Sequence, residues 1–154
     1  MRAVVQRARR ARVEVSGEIT GAIERGLVAF VGAAAGDTEA DIAYLVNKVT
    51  SLRVFPDAEG KMRHALLTME PPDVAGGLLV ISQFTLFGDV RGGNRPSFVG
   101  AMEPAEAERL YDLFVAQARA KGLFVATGRF RADMTVHVEN DGPVTILVDS
   151  KKLF

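Results

Sequence analysis

Two short, unbroken apolar runs constrain this chain more than any other feature. Gly26-Leu27-Val28-Ala29-Phe30-Val31-Gly32 is bounded by glycines, and Leu78-Leu79-Val80-Ile81 follows Gly76-Gly77. Neither run alternates and both are short, the pattern of strands covered on both faces. Such strands need a layer on each side, and the sequence supplies helices for one of them. Asp37 or Thr38 offers an N-cap, Glu39 and Asp41 place negative charge in the first turn, and Ile42, Leu45, Val46, Val49 and Leu52 recur at helical spacing. Pro104 fits the first position of a second helix whose apolar stripe is Ala107, Leu110, Tyr111, Phe114 and Ala118, ending at Lys121-Gly122.

The remaining apolar positions read as further strands. Val4-Val5 and the alternation of Val13 and Val15 around Glu14 suggest two short ones, and the turn signal Ser16-Gly17 separates them from Ile19 to Ile23. Leu123 to Ala126, Met134 to Val138 and Val144 to Val148 follow helix two, with Glu139-Asn140-Asp141-Gly142-Pro143 between the last pair. Pro56 to Gly60 is a turn, and Thr68 to Gly77 is a surface loop by composition. About eight strands and two main helices predict an α/β fold: mixed sheets packed as a barrel-like sandwich, helices as the third layer, and residues 1–154 as one domain.

Composition narrows the chemistry by exclusion. Without cysteine, disulfides, thiolate nucleophiles and Cys-ligated zinc are ruled out. No apolar run approaches the roughly 18 residues of a membrane span, and the polar start Met1-Arg2-Ala3-Val4-Val5-Gln6-Arg7 is unlike a signal-peptide core. Cytoplasm is the default compartment. Nineteen basic and nineteen acidic residues cancel, so attraction to a polyanion must be local. Arg2, Arg7, Arg9, Arg10 and Arg12 crowd the first strands. They are read either as solvated strand faces or, with Lys151 and Lys152, as contacts to nucleic acid.

His64 and His137 are isolated, so neither a histidine metal site nor a local Ser-His pair is written in the sequence. His137 alternates with Val136 and Val138 as an outward strand residue would. Gly92-Gly93-Asn94-Arg95 lacks the Gly-Lys-Ser/Thr ending of a phosphate loop. What remains is Ser82, Gln83 and Thr85 where a buried strand emerges. Hydroxyls and backbone N–H groups fixed there can stabilise the oxyanion formed when water attacks an ester. The plain alternative is that Thr85 favours β geometry and Gln83 faces solvent. Gly142-Pro143 likewise has two readings, a hairpin turn or a functional cis peptide.

Val5-Gln6-Arg7-Ala8, Asp57-Ala58-Glu59-Gly60-Lys61-Met62, Ser82-Gln83-Phe84-Thr85-Leu86, Arg95-Pro96-Ser97-Phe98, Gly128-Arg129-Phe130, Ala132-Asp133-Met134 and Asn140-Asp141-Gly142-Pro143-Val144-Thr145 together resemble the D-aminoacyl-tRNA deacylase family in order and spacing along essentially the whole chain. The departures are a longer segment from Arg63 to Gly77 and Arg63-His64 in place of an Asn-Leu pair.

The resemblance implies a deacylase-like fold and a metal-free, cofactor-free hydrolase that releases D-amino acids from D-aminoacyl-tRNA. It further implies a homodimer in which Gly142-Pro143, joined by a cis bond, enters the partner's site and sterically excludes L side chains. Glycine, lacking a side chain, passes, so glycyl-tRNA-Ala is an expected second substrate. Ser82, Gln83 and Thr85 are the expected catalytic residues, with Thr85 positioning rather than attacking. Substrate contacts are expected from Gly142, Pro143, Phe84, Leu86, Arg7, Phe130 and Met134. Phe84, Phe130 and Met134 would flank the 3′-terminal adenine or simply pack the core, and Arg7 would bond the Gly-Pro backbone. The rival readings are a non-catalytic RNA-binding module of the same fold and a general esterase using Ser82 or Thr85.

Overall fold

The computed structural model describes residues 1–69 and 76–154. The strands are β1 (Arg2–Val15), β2 (Glu18–Ile23), β3 (Gly26–Gly32), β4 (Phe55–Pro56), β5 (Met62–His64), β6 (Gly77–Ser82), β7 (Val125–Thr127) and β8 (Thr135–Asp149). The helices are α1 (Glu39–Ser51) and α2 (Pro104–Ala120), with single 3-10 turns at Leu66–Thr68 and Phe84–Phe87. The expected loop from Thr68 to Gly77 falls mainly on residues 70–75, which lie outside the described residues.

The two apolar runs are the central strands. β3 and β6 pair in parallel, β6 pairs in parallel with β7, and β1 joins β3 antiparallel, giving a mixed sheet in the order β2-β1-β3-β6-β7. Leu27, Ala29, Val31, Leu78 and Val80 pack with Ile42, Leu45, Val46 and Val49 of α1 and Leu110, Phe114 and Ala118 of α2. Val28, Leu79 and Ile81 face the other way, against Ala8, Ala11, Val13, Val15 and Ile23. Both faces are therefore covered, which is why these strands show no polar alternation. The sheet curls until its edges nearly meet: a Cβ added at Gly21 of β2 would lie 2.3 Å from the Thr127 carbonyl oxygen of β7, so only glycine permits this closure. The result is the barrel-like layer, with both helices outside it.

Thr38 caps α1 through a capping box in which the backbone N–H of Thr38 donates to Asp41 Oδ2 at 2.8 Å. The turn expected at Pro56 to Gly60 is the tip of the β4-β5 hairpin, where Asp57 Oδ1 accepts the N–H groups of Glu59 and Lys61, each at 2.9 Å.

Two expectations require correction. The short strands expected around Val4-Val5 and Val13-Val15 are one fourteen-residue strand, β1. Its polar middle, Arg7-Ala8-Arg9-Arg10, keeps Ala8 buried while the arginines meet carboxylates of β8. Of the two readings of Gly142-Pro143, the hairpin turn between Met134–Val138 and Val144–Val148 does not form. Both segments belong to β8, which runs antiparallel to β1 throughout. Asn140 pairs with Ala8 and Thr145 with Gln6, so residues 141–144 stand opposite Arg7 alone and are extruded as a bulge.

Candidate active site

β6 delivers the candidate residues to one end of the sheet. The backbone N–H of Gln83 donates to Val31 O at 2.8 Å, and Gly32 lets the two strands approach this closely, since a Cβ there would lie 2.5 Å from Gln83 O. The chain then turns sharply through Phe84–Phe87, closed by Gly88 N–H to Thr85 O at 3.0 Å. Thr85 is exposed on this turn and its hydroxyl accepts a hydrogen bond from the Gln83 side-chain amide. That leaves the Thr85 proton free to be donated outward. Among the described residues, no histidine, carboxylate or lysine is hydrogen-bonded to the hydroxyl to activate it as a nucleophile.

Beside the turn lies a cavity of about 770 Å³, walled by β3, the end of β6, the start of α2 and residues 130–134. Ser82, Gln83, Phe84, Phe130 and Met134 all line it. Phe84 is exposed and meets Phe98 edge-on at 5.0 Å between ring centroids. Phe130 and Met134 pack against the two cores, as the packing reading expects, and also line the cavity. Thr85 and Leu86 sit on the adjoining turn rather than on the wall.

Arg7, Gly142 and Pro143 are not brought to this cavity within the chain. They form a second cluster on the β1-β8 ladder. Gly142 and Pro143 are exposed at the crest of the bulge, and their peptide bond is cis. Asn140 Nδ2 closes the neck of the bulge by donating to Arg7 O at 2.9 Å and Val144 O at 3.1 Å. Arg7 grips it through a side chain, with Nε 2.8 Å from Asp141 Oδ2, while Nη1 donates to Val54 O. The expected bonds from Arg7 to the Gly-Pro backbone are replaced by this ion pair one residue earlier.

Several contributors escaped the sequence reading because they come from distant parts of the chain. Met1 is 2% exposed and lines the cavity; its ammonium lies 2.7 Å from Asp37 Oδ2 and donates to Ser150 Oγ at 2.6 Å. Ser150 in turn donates to Asp41 Oδ1 at 2.7 Å, and Lys151 Nζ lies 2.7 Å from the same oxygen. Burial opposes ionisation of Asp41, but hydrogen bonds from Lys151, Ser150 and the Thr38 backbone outweigh it and hold the carboxyl below its usual range. Tyr111 also lines the cavity; its hydroxyl donates to Val80 O at 2.9 Å, and burial pushes its pKa up, making it a fixed donor rather than a base.

Arg2 braces the turn from behind. Its Nη1 donates to Leu86 O at 3.0 Å, its guanidinium lies 4.7 Å from the Phe87 ring centroid, and its Nε bonds Asp149 Oδ2 at 2.9 Å. Replacing it with alanine frees the turn and leaves the Asp149 carboxylate, on a buried residue, without its cation. The expected outcome is a loss of about 2–3 kcal/mol of stability, measured by denaturant unfolding; a change within error would show that the brace carries no energy.

The charged strand faces are paired internally. Arg10 Nε lies 2.7 Å from Glu139, Arg12 Nε 2.7 Å from Glu14, and Arg9 Nε 3.5 Å from Asp141. His137 is on β8, 3.4 Å from Glu14, and His64 is exposed on β5, both away from the cavity wall. Among the described residues no three His, Asp or Glu side chains gather in a metal-binding group.

A protein from Sorangium cellulosum named D-aminoacyl-tRNA deacylase is 67% identical over the full length of both chains, and one of the same name from Thermotoga petrophila is 53% identical over the full length of both. Among solved structures, the c-Myc DNA Unwinding Element Binding Protein superposes with a TM-score of 0.87 at 40% identity, covering 97% of this chain and 98% of its own. A probable eukaryotic D-amino acid tRNA deacylase shares the fold at a TM-score of 0.78 and 18% identity, over 96% of this chain and 97% of its own. The D-Tyr-tRNA(Tyr) deacylase family profile matches residues 4–149, and with relatives this similar along the whole chain, the protein belongs to that family.

Proposed function

We propose that this protein hydrolyses the ester bond between a D-amino acid and the 3′-terminal ribose of tRNA, as a cytoplasmic homodimer in which Gly142-Pro143 of each copy completes the cavity of the other. The observation that carries this reading is the separation of two prepared parts. One is a cavity with exposed Phe84 and the Ser82-Gln83 strand end on its wall; the other is a braced, exposed Gly-Pro bulge that its own cavity does not use.

An aminoacyl ester is already activated, so positioned water suffices and a strong nucleophile is unnecessary. In this reading Phe84, Phe130 and Met134 flank the terminal adenine, as aromatic and apolar side chains commonly grip single-stranded RNA ends. Thr85 and the backbone N–H groups of its turn orient the ester carbonyl, and the ribose 2′-hydroxyl helps activate the water. The partner's Gly142-Pro143 backbone holds the amino group. An L side chain would then point into that backbone, a D side chain away from it. Glycine has nothing to exclude, so glycine mischarged on tRNA-Ala is a second substrate.

The test is hydrolysis of D-tyrosyl-, L-tyrosyl- and glycyl-tRNA without added metal. Release of D-tyrosine and glycine with L-tyrosine retained is expected; equal rates for both enantiomers would remove the exclusion mechanism. Thr85→Ala should lower kcat by about tenfold, the loss of one positioning hydrogen bond. A trapped acyl-Thr85 intermediate would show instead that the residue attacks.

A further inference from the structure

Among the described residues, three that are not glycine hold a left-handed backbone: Ser16, Arg131 and Lys152. Ser16 shares the β1-β2 turn with Gly17, and Lys152 closes a terminal turn by donating to Asp149 O at 3.1 Å. Arg131, with φ at 58°, lies inside a turn closed by Ala132 N–H to Arg129 O at 3.3 Å, between the cavity-lining residues Phe130 and Met134. Glycine would adopt this conformation without a Cβ penalty, whereas arginine bears one.

Nothing among the described residues offsets that penalty. Arg2, Arg7, Arg10, Arg12, Arg91 and Arg109 each have a carboxylate partner, but the exposed Arg131 has neither an ion pair nor a hydrogen bond. Among the described residues it is also the only cationic side chain on the cavity wall, where the acids are Glu103 and Asp133. Glu103 is already engaged by the Ala105 N–H at 3.1 Å. Backbone strain at the rim of a cavity, not repaid within the chain, is the kind that a ligand repays.

We propose that Arg131 is a phosphate-binding residue that takes the RNA phosphodiester immediately 5′ of the terminal adenosine. The proposal rests on the deacylase reading, which puts an RNA end in this cavity. A base held by Phe130 and Met134 would lie beside Arg131, which lines the same cavity between them. In a chain of zero net charge, an unpaired guanidinium at the entrance is the local cation that a polyanion requires, and its planar fork matches two phosphate oxygens.

The experiment compares wild type, Arg131→Gly and Arg131→Lys on D-tyrosyl-tRNA across a salt series, and on binding of a short single-stranded RNA ending in CCA. Arg131→Gly should raise KM by about five- to tenfold and reduce the log–log salt slope by about 0.7, with an unchanged or higher thermal midpoint because the strain is relieved. Arg131→Lys should keep the salt slope and recover part of KM. A glycine variant with the wild-type KM and salt slope would overturn the proposal, as would one whose lost affinity is accompanied by a lowered thermal midpoint. If the wild type hydrolyses no D-aminoacyl-tRNA, the deacylase reading fails by itself, and equal RNA affinity and salt slope for wild type and Arg131→Gly would then refute the phosphate contact separately.

Discussion

Gly142→Leu is expected to lower kcat/KM on D-tyrosyl-tRNA by about a hundredfold or more, a loss typical of misplacing a reacting group by an ångström, while changing the unfolding free energy by no more than about 1 kcal/mol. The two effects separate because of where Gly142 stands. It is exposed, and a Cβ added there would meet, among the described residues beyond its chain neighbours, only Asn140 Oδ1, at 3.5 Å. The subunit therefore accommodates the side chain, and the cost arises only where the bulge enters a partner's cavity. Gly142→Ala should fall between the two because its methyl intrudes less. Steady-state kinetics with denaturant unfolding on the same preparations measure both quantities. Full activity in the leucine variant would mean that the bulge is not part of the active site.

Arg7→Ala is the second large effect. The guanidinium is mostly buried and serves two partners, Asp141 of the bulge and the carbonyl of Val54 before β4. Its removal leaves Asp141 with only the distant, exposed Arg9 at 3.5 Å and the Val54 carbonyl without its donor. Breaking a partly buried pair in this way costs about 3 kcal/mol, and the released bulge should lower kcat/KM by a further ten- to hundredfold, about what a loosened supporting contact costs a positioned group. Arg7→Lys should recover little, because a single ammonium cannot reproduce the fork that reaches both partners. Wild-type kinetics in Arg7→Ala would show that the Asn140 bridges alone hold the bulge.

The central architecture was legible because it rests on local pattern. The unbroken runs at 26–32 and 78–81 announced strands covered on both faces, and the helical stripes of α1 and α2 appear where their spacing predicts them. The long strands were misread because polar interruptions mimic ends. Arg7-Ala8-Arg9-Arg10 breaks the alternation of β1, although carboxylates across the ladder keep it extended. Asn140-Asp141-Gly142-Pro143 has hairpin composition, but its flanking segments both pair with β1 rather than with each other.

Within the site, Ser82, Gln83 and Thr85 were legible as the polar end of a buried strand. Met1 and Arg2 were not, because their partners Ser150, Asp149 and Leu86 lie at the far end or middle of the chain. Pairing over such separations is set by topology, and no local pattern records it.

The most direct test of the shared site mixes two defective variants. Gly142→Leu keeps an open cavity but presents a spoiled bulge; Ala107→Phe, which fills the cavity wall on α2, keeps a good bulge but blocks its own cavity. In a twofold dimer each mixed pair contains one intact site, so random reassortment of equal amounts should restore about a quarter of wild-type D-tyrosyl-tRNA hydrolysis. If the mixture, once its subunits are shown to have exchanged, stays as inactive as either variant alone, the bulge does not act across subunits and the account is wrong.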